Sequence, residues 1–432
     1  MLIYYLIVII FIYYGLKNFD KALPIWAACS IATHYGTCLK ATPPAVSVTF
    51  ALNIFFIILF IYKYKNKDFF KKFPLQNEFL LILFTYLLST IFSQIPFRNT
   101  ILGTIQLLVN DYIIIIVIWF TIRNIRQVRL LVKTLNIIIL LASIYGIIAF
   151  IADQNPIIEF EMSLLPANLE KMTIANATVR GLKAQSFFLS PTNFGVYIAL
   201  FWLVGVMIKS KYKVFYNFST KYFIVLTILI IISTTLTKTR TSIFSFLVLA
   251  LPFLFKKSFI QSKYSYPLFL ALFCSIPIIS TYISPYVVSI FDADSSQVAG
   301  SSLNMRLNQL SIIWNEFIRN PISGLGIGSM VLVKAKNYEI YGAESIWFWI
   351  LLERGIIGLI SYIWVFISII KKLSTKTTKL YLFLATAYWI ILQTMTTTIG
   401  VSIYWYFLTV IIIYKIDKTT LKSVQKTKLS NL

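Results

Sequence analysis

Uninterrupted apolar blocks recur along this chain, most of them roughly 17 to 25 residues long, the length at which a helix crosses the hydrocarbon core of a bilayer. They can be marked near residues 2–16, 22–37, 45–62, 78–93, 100–121, 130–152, 186–208, 222–237, 241–255, 266–284, 345–370, 380–396 and 399–414. A soluble core cannot bury so many on every side. The expected fold class is therefore all-α, a single polytopic transmembrane helical bundle of about 12–13 helices over residues 1–432. The first block, Leu2 to Tyr14, has no basic residue before it and no small-residue cleavage site after it, so it reads as a retained helix rather than a signal peptide.

Basic residues fall between the blocks. Of 39 lysines and arginines, 27 lie in the segments Lys63–Lys72, Arg123–Lys133, Lys209–Lys221, Lys256–Lys263 and Lys371–Lys379, the tail from Lys415, and the turn at Lys17 and Lys21. Short basic loops are retained in the cytoplasm during insertion, so these segments are assigned there, together with a basic cytoplasmic tail at 415–432. The opposite face takes ten of the fifteen acids. A formal net charge of +24 therefore calls for no nucleic-acid partner, because the cations are dispersed rather than gathered on one recognition face.

Two segments on the outer face are too long to be turns: a first loop at 153–185 and a larger one at 285–344. Within the second, Leu303, Leu307, Leu310, Trp314 and Phe317 recur at helical spacing, which predicts an amphipathic helix. Asn320-Pro321 stops it, and Gly324, Gly326 and Gly328 make a turn. That GLGIGS run lacks the preceding strand and the following Lys-Ser/Thr of a phosphate loop. Cys29, Cys38 and Cys274 have no metal or disulfide spacing and read as packing residues, and His34, the single histidine, leaves no multi-histidine metal site.

Ionisable groups near or inside a bilayer are costly and mark function by default. Arg180 precedes a helix that starts on the outer face, with Ser190-Pro191-Thr192-Asn193 close behind. Arg240 and Lys238 share one short turn, LTKTRTSIF, against the positive-inside bias. Arg306 heads the amphipathic helix. Glu344 opens the block ESIWFWILLERGIIGLI, with Glu353 and Arg354 roughly two to three turns deeper. Asp111 is the one acid read as lying deep in a block. Anchoring to headgroups, a solvated helix face or complement to a helix dipole would account for several of these singly. Three arginines converging on an outer-face cavity would suit a diphosphate, because the guanidinium fork pairs bidentately with phosphate oxygens.

Four patterns in this order resemble the O-antigen polymerase and O-antigen ligase family of polytopic bacterial membrane glycosyltransferases. They are RGLKAQSFFLSPTNFG, LTKTRTSIFSFL, RLNQLSIIWNEFIRNPISGLGIGS and AESIWFWILLERGIIGLISYIWVF, spanning roughly Arg180 to Ser361. Glu344-Ser345 stands where the family has His-Asn, which favours a polymerase over a ligase. The resemblance implies a GT-C-like bundle in the bacterial inner membrane with its active site on the periplasmic face.

It also implies the substrates. A growing glycan would pass from one undecaprenyl-pyrophosphate carrier to a second lipid-linked repeat unit, with membrane lipid as surroundings and a chain-length regulator as a possible partner. Arg180, Arg240, Arg306 and Lys238 would hold the pyrophosphate, with Arg240 also catalytic, and Glu344 would act as base or orient the hydroxyl, supported by Asn193, Glu353 and Arg354. No metal or cofactor is expected, and inversion would follow a single displacement. Transfer to a lipid A-core acceptor is the alternative within the family. A lipid-linked oligosaccharide flippase is the rival from another class, though no internal repeat is visible. A shape-and-division type polymerase would instead use Asp292 or Asp294.

Overall fold

The computed structural model describes residues 2–33, 37–40, 46–64, 70–93, 96–163, 183–188, 190–254, 303–336, 345–395 and 402–430. The chain begins with α1 (Leu2–Lys17) and α2 (Phe19–Cys29), then a short antiparallel pair, β1 (Cys38–Lys40) with β2 (Val46–Ser47). α3 (Val48–Lys63) and α4 (Gln76–Ile91) follow. α5 (Phe97–Leu108) runs through a π-helical turn (Val109–Ile113) into α6 (Ile114–Thr121). Next come α7 (Ile125–Ile151), α8 (Pro156–Ser163) and α9 (Pro191–Met207). α9 continues through a second π turn (Ile208–Tyr212) into α10 (Lys213–Tyr216). The remainder is α11 (Thr220–Leu236), α12 (Arg240–Leu254), α13 (Leu303–Phe317), α14 (Ser329–Lys336), α15 (Ile346–Leu373), α16 (Lys379–Met395) and α17 (Tyr404–Ser430).

The fold is an all-α polytopic bundle. Each apolar block within the described residues forms a helix over most or all of its length, the second only as far as Cys29, and the block at 266–284 lies outside them. Among the described residues, four stretches, Thr100–Thr121, Ile125–Ile151, Pro191–Tyr212 and Ile346–Leu373, are long and apolar enough to cross a membrane. α9 is the central post: Phe194 through Gly205 are buried without interruption. By contrast, Ile356, Ile360, Ile363, Trp364 and Ile367 on α15 face outward, as do Leu141, Ile144, Ile148 and Ile151 on α7. In water such stripes would form an aggregation surface. Against hydrocarbon they cost nothing.

Polar ties gather alternate helix ends at one pole. Lys63 pairs with Asp20 at 2.8 Å, joining the α1–α2 turn to the end of α3. Arg129 Nε donates to Phe215 O, and Lys415 Nζ donates to Trp119 O. Lys372 pairs with the buried Glu78 at 2.7 Å and donates to Pro74 O. Thr375 Oγ1 donates to Asp417, which also accepts from Tyr212. Lys17 and Lys21 flank this pole too, so the N-terminal helix pair fits the alternation that the basic loops predict.

Two expectations need correction, and two gain detail. The 22–37 block stops being α-helical at Cys29, and after one 3-10 turn to Ala32 the chain enters a strand at Cys38. In the basic tail expected at 415–432, α17 runs on to Ser430, with Ile416, Asp417, Thr419 and Thr420 buried. Glu78 and Asp417 are also almost fully covered, but at the basic pole rather than within a span as Asp111 is. The amphipathic helix α13 exists, but it buries Gln309, Ile313 and Phe317 and turns Leu307, Leu310 and Trp314 outward. A helix beside a bilayer has two apolar directions, and hydrophobic spacing alone does not choose between them.

Glu78 is held by Lys372 and by Trp364 Nε1, which donates to its Oε1 at 3.0 Å. Lys372→Met strands a buried carboxylate. Allowing for screening at the half-exposed lysine, it should cost about 2 kcal/mol in detergent unfolding, with Glu78→Met/Lys372→Met restoring most of the loss. A double variant no more stable than Lys372→Met would contradict that account.

Candidate functional site

The LLERGIIG segment does not continue as one helix. Gly355 sits at φ 63°, ψ −161°, and breaks α15 between Arg354 and Ile356. A break at this depth frees carbonyls on one side and amides on the other, and hydrocarbon offers them no partners. The PISGLGIGS loop supplies them. Leu325 N–H donates to Leu352 O at 2.8 Å and Gly326 N–H to Glu353 O at 3.2 Å, while Ile356 N–H donates to Pro321 O at 2.9 Å and Ile357 N–H to Ile322 O at 3.3 Å. The loop also grips the end of α4: Ile327 N–H donates to Ser89 O, Ser89 Oγ donates to Glu353 O, and Ser93 Oγ donates to Ile327 O.

Two glycines make this seat possible. A Cβ on Gly355 would stand 2.3 Å from Ile322 O, and one on Gly326, at φ 94°, would stand 2.4 Å from Ser93 Cα. The GLGIGS run is thus a close-approach turn, as read from sequence, and α14 starts directly from it. Glu353 serves that start. Its Oε1 accepts Gly328 N–H at 2.9 Å, and the carboxylate also accepts the Met330 N–H, capping α14 from another helix. Beneath lies a small apolar core of Ile313, Leu325, Met330, Val333 and Leu352.

Arg354 points elsewhere, into a ring of tyrosines. Its guanidinium lies 4.4 Å from the Tyr86 ring centre and 4.8 Å from that of Tyr362, and it hydrogen-bonds the Tyr362 hydroxyl. Tyr112 and Tyr86 hydroxyls stand 2.8 and 3.2 Å from that of Tyr362. Arg354 is 7% exposed, makes no ion pair within 4.0 Å among the described residues, and leaves Nε and Nη1 without an acceptor. Cation–π contact supplies about 2 kcal/mol when desolvated, whereas each orphaned donor on a charged group costs about 1–3 kcal/mol. The stacking leaves those donors without an acceptor. Tyr112 belongs to the first π turn, whose neighbour Asp111 accepts a hydrogen bond from Ser402.

A second assembly lies where α9 begins and α11 meets α12. Ser190 caps α9 by accepting Asn193 N–H, and Pro191 occupies the first helical turn. Ala184 N–H donates to Leu236 O at 2.9 Å, and Ser242 Oγ donates to Thr192 O at 3.3 Å. Gly195 lets α12 approach so closely that a Cβ there would stand 2.5 Å from Ser242 Cβ. Between the helices, Lys238 takes φ 49° and reaches over the Phe150 ring at 5.0 Å. Asn193 is buried with Oδ1 lacking a hydrogen-bond donor.

The residues expected to form the site divide accordingly. Arg180 and Glu344 lie outside the described residues. Arg240 is the first residue of α12 and Arg306 lies in the first turn of α13, and their side chains are not among those described. Lys238 and Asn193 share the α9–α12 assembly, and Glu353 and Arg354 share the helix break. The SPTN and TKTR segments are packed together; the GLGIGS loop is packed on ERGIIG. Sequence reading missed Tyr86, Tyr112 and Tyr362. Three among 26 tyrosines in separate blocks carry no local signal.

Glu353→Ala should release the start of α14 and lower stability by about 2–3 kcal/mol, the worth of a hydrogen bond to a charged acceptor plus an orphaned amide. Glu353→Gln, whose amide oxygen still accepts, should recover most of that in detergent unfolding. Equal losses would show that the acceptor is not what matters.

Against known proteins, residues 225–363 match the family model described as O-antigen ligase. No curated protein matches the chain. The matched stretch begins in α11 and ends in α15, taking in the TKTR turn, the GLGIGS loop and the Glu353–Gly355 break, while Arg180 and the SPTN segment precede it. Over residues 225–363, about a third of the chain, the protein is similar to the O-antigen ligase family model, and this match does not separate ligase from polymerase.

Proposed function

We propose that this protein is a polysaccharide polymerase that transfers a growing glycan from one undecaprenyl-pyrophosphate carrier to a lipid-linked repeat unit. The family match supports a membrane glycosyltransferase of ligase or polymerase type. The observation that supports the finer reading is that the packed SPTN and TKTR segments and, as a separate assembly, the GLGIGS loop on the end of α4 both lie at helix ends away from the basic pole. Transfer to a lipid A-core acceptor is the alternative, and Glu344 in place of the family's histidine favours polymerisation.

In the proposed reaction an acceptor sugar hydroxyl attacks the anomeric carbon of the donor glycan. The new glycosidic C–O bond forms as the anomeric C–O bond to the pyrophosphate breaks, the carrier pyrophosphate departs with that electron pair, and Glu344 takes the hydroxyl proton. A single displacement inverts the anomeric centre. Arg180, Arg240, Arg306 and Lys238 neutralise the departing charge, so the reaction is proposed to need no metal. Asn193 steadies the start of α9 beside them, Glu353 supports the loop, and Arg354 stands at the helix break facing the tyrosine ring.

The orientation proposed is a bacterial inner membrane with the basic pole in the cytoplasm, α17 running into it, and the transfer site on the periplasmic face. Cysteines substituted at Arg126 and Lys376, in a background lacking the native three, should resist an impermeant maleimide in spheroplasts, while one at Asn320 should react. The reverse pattern would turn the protein over.

Purified protein given the lipid-linked repeat unit alone should build a ladder of longer glycans in the presence of a chelator. Arg240→Lys loses one fork contact and should slow turnover roughly thirtyfold to a thousandfold. Normal turnover in that variant would remove Arg240 from the site, and full chain length and yield in Glu344→Gln would remove the base. Movement of the substrate across vesicles without elongation would favour a flippase.

A further inference from the structure

The ring around Arg354 is short of acceptors. Tyr86, Tyr112 and Tyr362 bring three hydroxyl protons but make only two hydroxyl–hydroxyl contacts, 2.8 and 3.2 Å long, so one proton is left over. Tyr362 already receives a hydrogen bond from Arg354. Add the guanidinium Nε and Nη1, both buried and both without an acceptor, and four N–H or O–H protons from two residue types face inward with nothing to receive them. Of the acids described near the ring, Glu353 is turned away onto Gly328 and Met330, and Asp111, close enough to act on Tyr86, accepts from Ser402. A buried cation surrounded by surplus donors is complementary to one kind of group, a compact oxyanion with several lone pairs.

The geometry points to an oxyanion site inside the bundle, formed by Arg354 with the hydroxyls of Tyr86, Tyr112 and Tyr362, that takes the phosphate of a phosphate-bearing polyprenyl lipid. This rests on the proposed use of lipid-linked substrates and adds a second phosphate contact to the arginines assigned above. Arg354 follows Ile346 by eight residues, roughly 12 Å along a helix, a depth that favours a ligand carried on a lipid tail over a soluble nucleotide sugar. The break at Gly355 and the π turn carrying Tyr112 both depart from regular helix here, and each re-aims a donor at the same point.

The test is thermal unfolding of the detergent-purified full chain, alone and with undecaprenyl pyrophosphate, inorganic pyrophosphate or phosphatidylglycerol. The wild type should be stabilised by undecaprenyl pyrophosphate and not by phosphatidylglycerol at equal concentration. Arg354→Met should melt no lower than wild type without lipid, since it removes an uncompensated buried cation, and should bind undecaprenyl pyrophosphate at least tenfold more weakly. If Arg354→Met fails to fold, Arg354→Lys and Tyr112→Phe carry the test, each expected to weaken binding at least tenfold.

Unchanged binding in these variants overturns the site even if the wild type elongates glycans. A wild type stabilised equally by phosphatidylglycerol overturns the choice of polyprenyl carrier, and one stabilised by inorganic pyrophosphate alone overturns the lipid. Arg354-dependent binding in a protein that makes no polymer would sink the polymerase reading and leave the site standing.

Discussion

Backbone that leaves helical geometry inside a bilayer must find its hydrogen-bond partners in protein, and the break at Gly355 is where that requirement is strongest in this chain. Leu352 and Glu353 offer two carbonyls; Ile356 and Ile357 offer two amides. A single loop, residues 321–326, answers all four in register, and its neighbours Ile327 and Ser89 tie the same point to α4. The positions of α4, α13, α14 and α15 therefore depend on one another through backbone groups. Side-chain packing beneath, centred on Ile313 and Leu352, fills the space that this hydrogen bonding defines.

Adjacent residues at the break have opposite tasks. Glu353 is consumed by structure, its carboxylate turned to amides at the start of α14, while Arg354 is left with donors that no protein atom satisfies. The glutamate is thus a positioning residue. A charged pair that had simply neutralised itself would have been easier to place in a low dielectric and would have left nothing for a ligand.

The bundle itself was legible because its signal is local: a block of apolar side chains and a break of basic ones are read from a window of about twenty residues. The basic loops also foretold which helix ends share a pole, and Lys63–Asp20, Arg129–Phe215 and Lys372–Glu78 join those ends. The faces of α13 were not legible, since both lipid and protein accept apolar groups, and Gln309 rather than Leu310 lies inward. Of the site, the GLGIGS turn and the LTKTR turn were visible from glycine and charge patterns. The tyrosines were not, because Tyr86, Tyr112 and Tyr362 meet only when α4, the first π turn and α15 are packed, and although Asn110 and Asp111 mark the neighbourhood of Tyr112, nothing there names its partners.

The same π turn connects the break to the N-terminal helices. Trp26 Nε1 donates to Asn53 Oδ1 at 2.8 Å, Asn53 Nδ2 donates to Asn110 Oδ1 at 2.9 Å, Ser402 donates to the adjoining Asp111, and Tyr112 next in line contacts Tyr362. Asn110, Asp111 and Tyr112 thus present three successive polar side chains to three different partners. A regular α-helix turns each residue by about 100°, and a π turn, with more residues in a wider loop, turns each by less, so consecutive positions can all meet protein instead of one meeting lipid. Three polar residues in a row inside a span would otherwise destabilise it. Their presence follows from the widened turn, which links α2, α3, α15 and α17 around α5 and holds Tyr112 at the edge of the Arg354 ring.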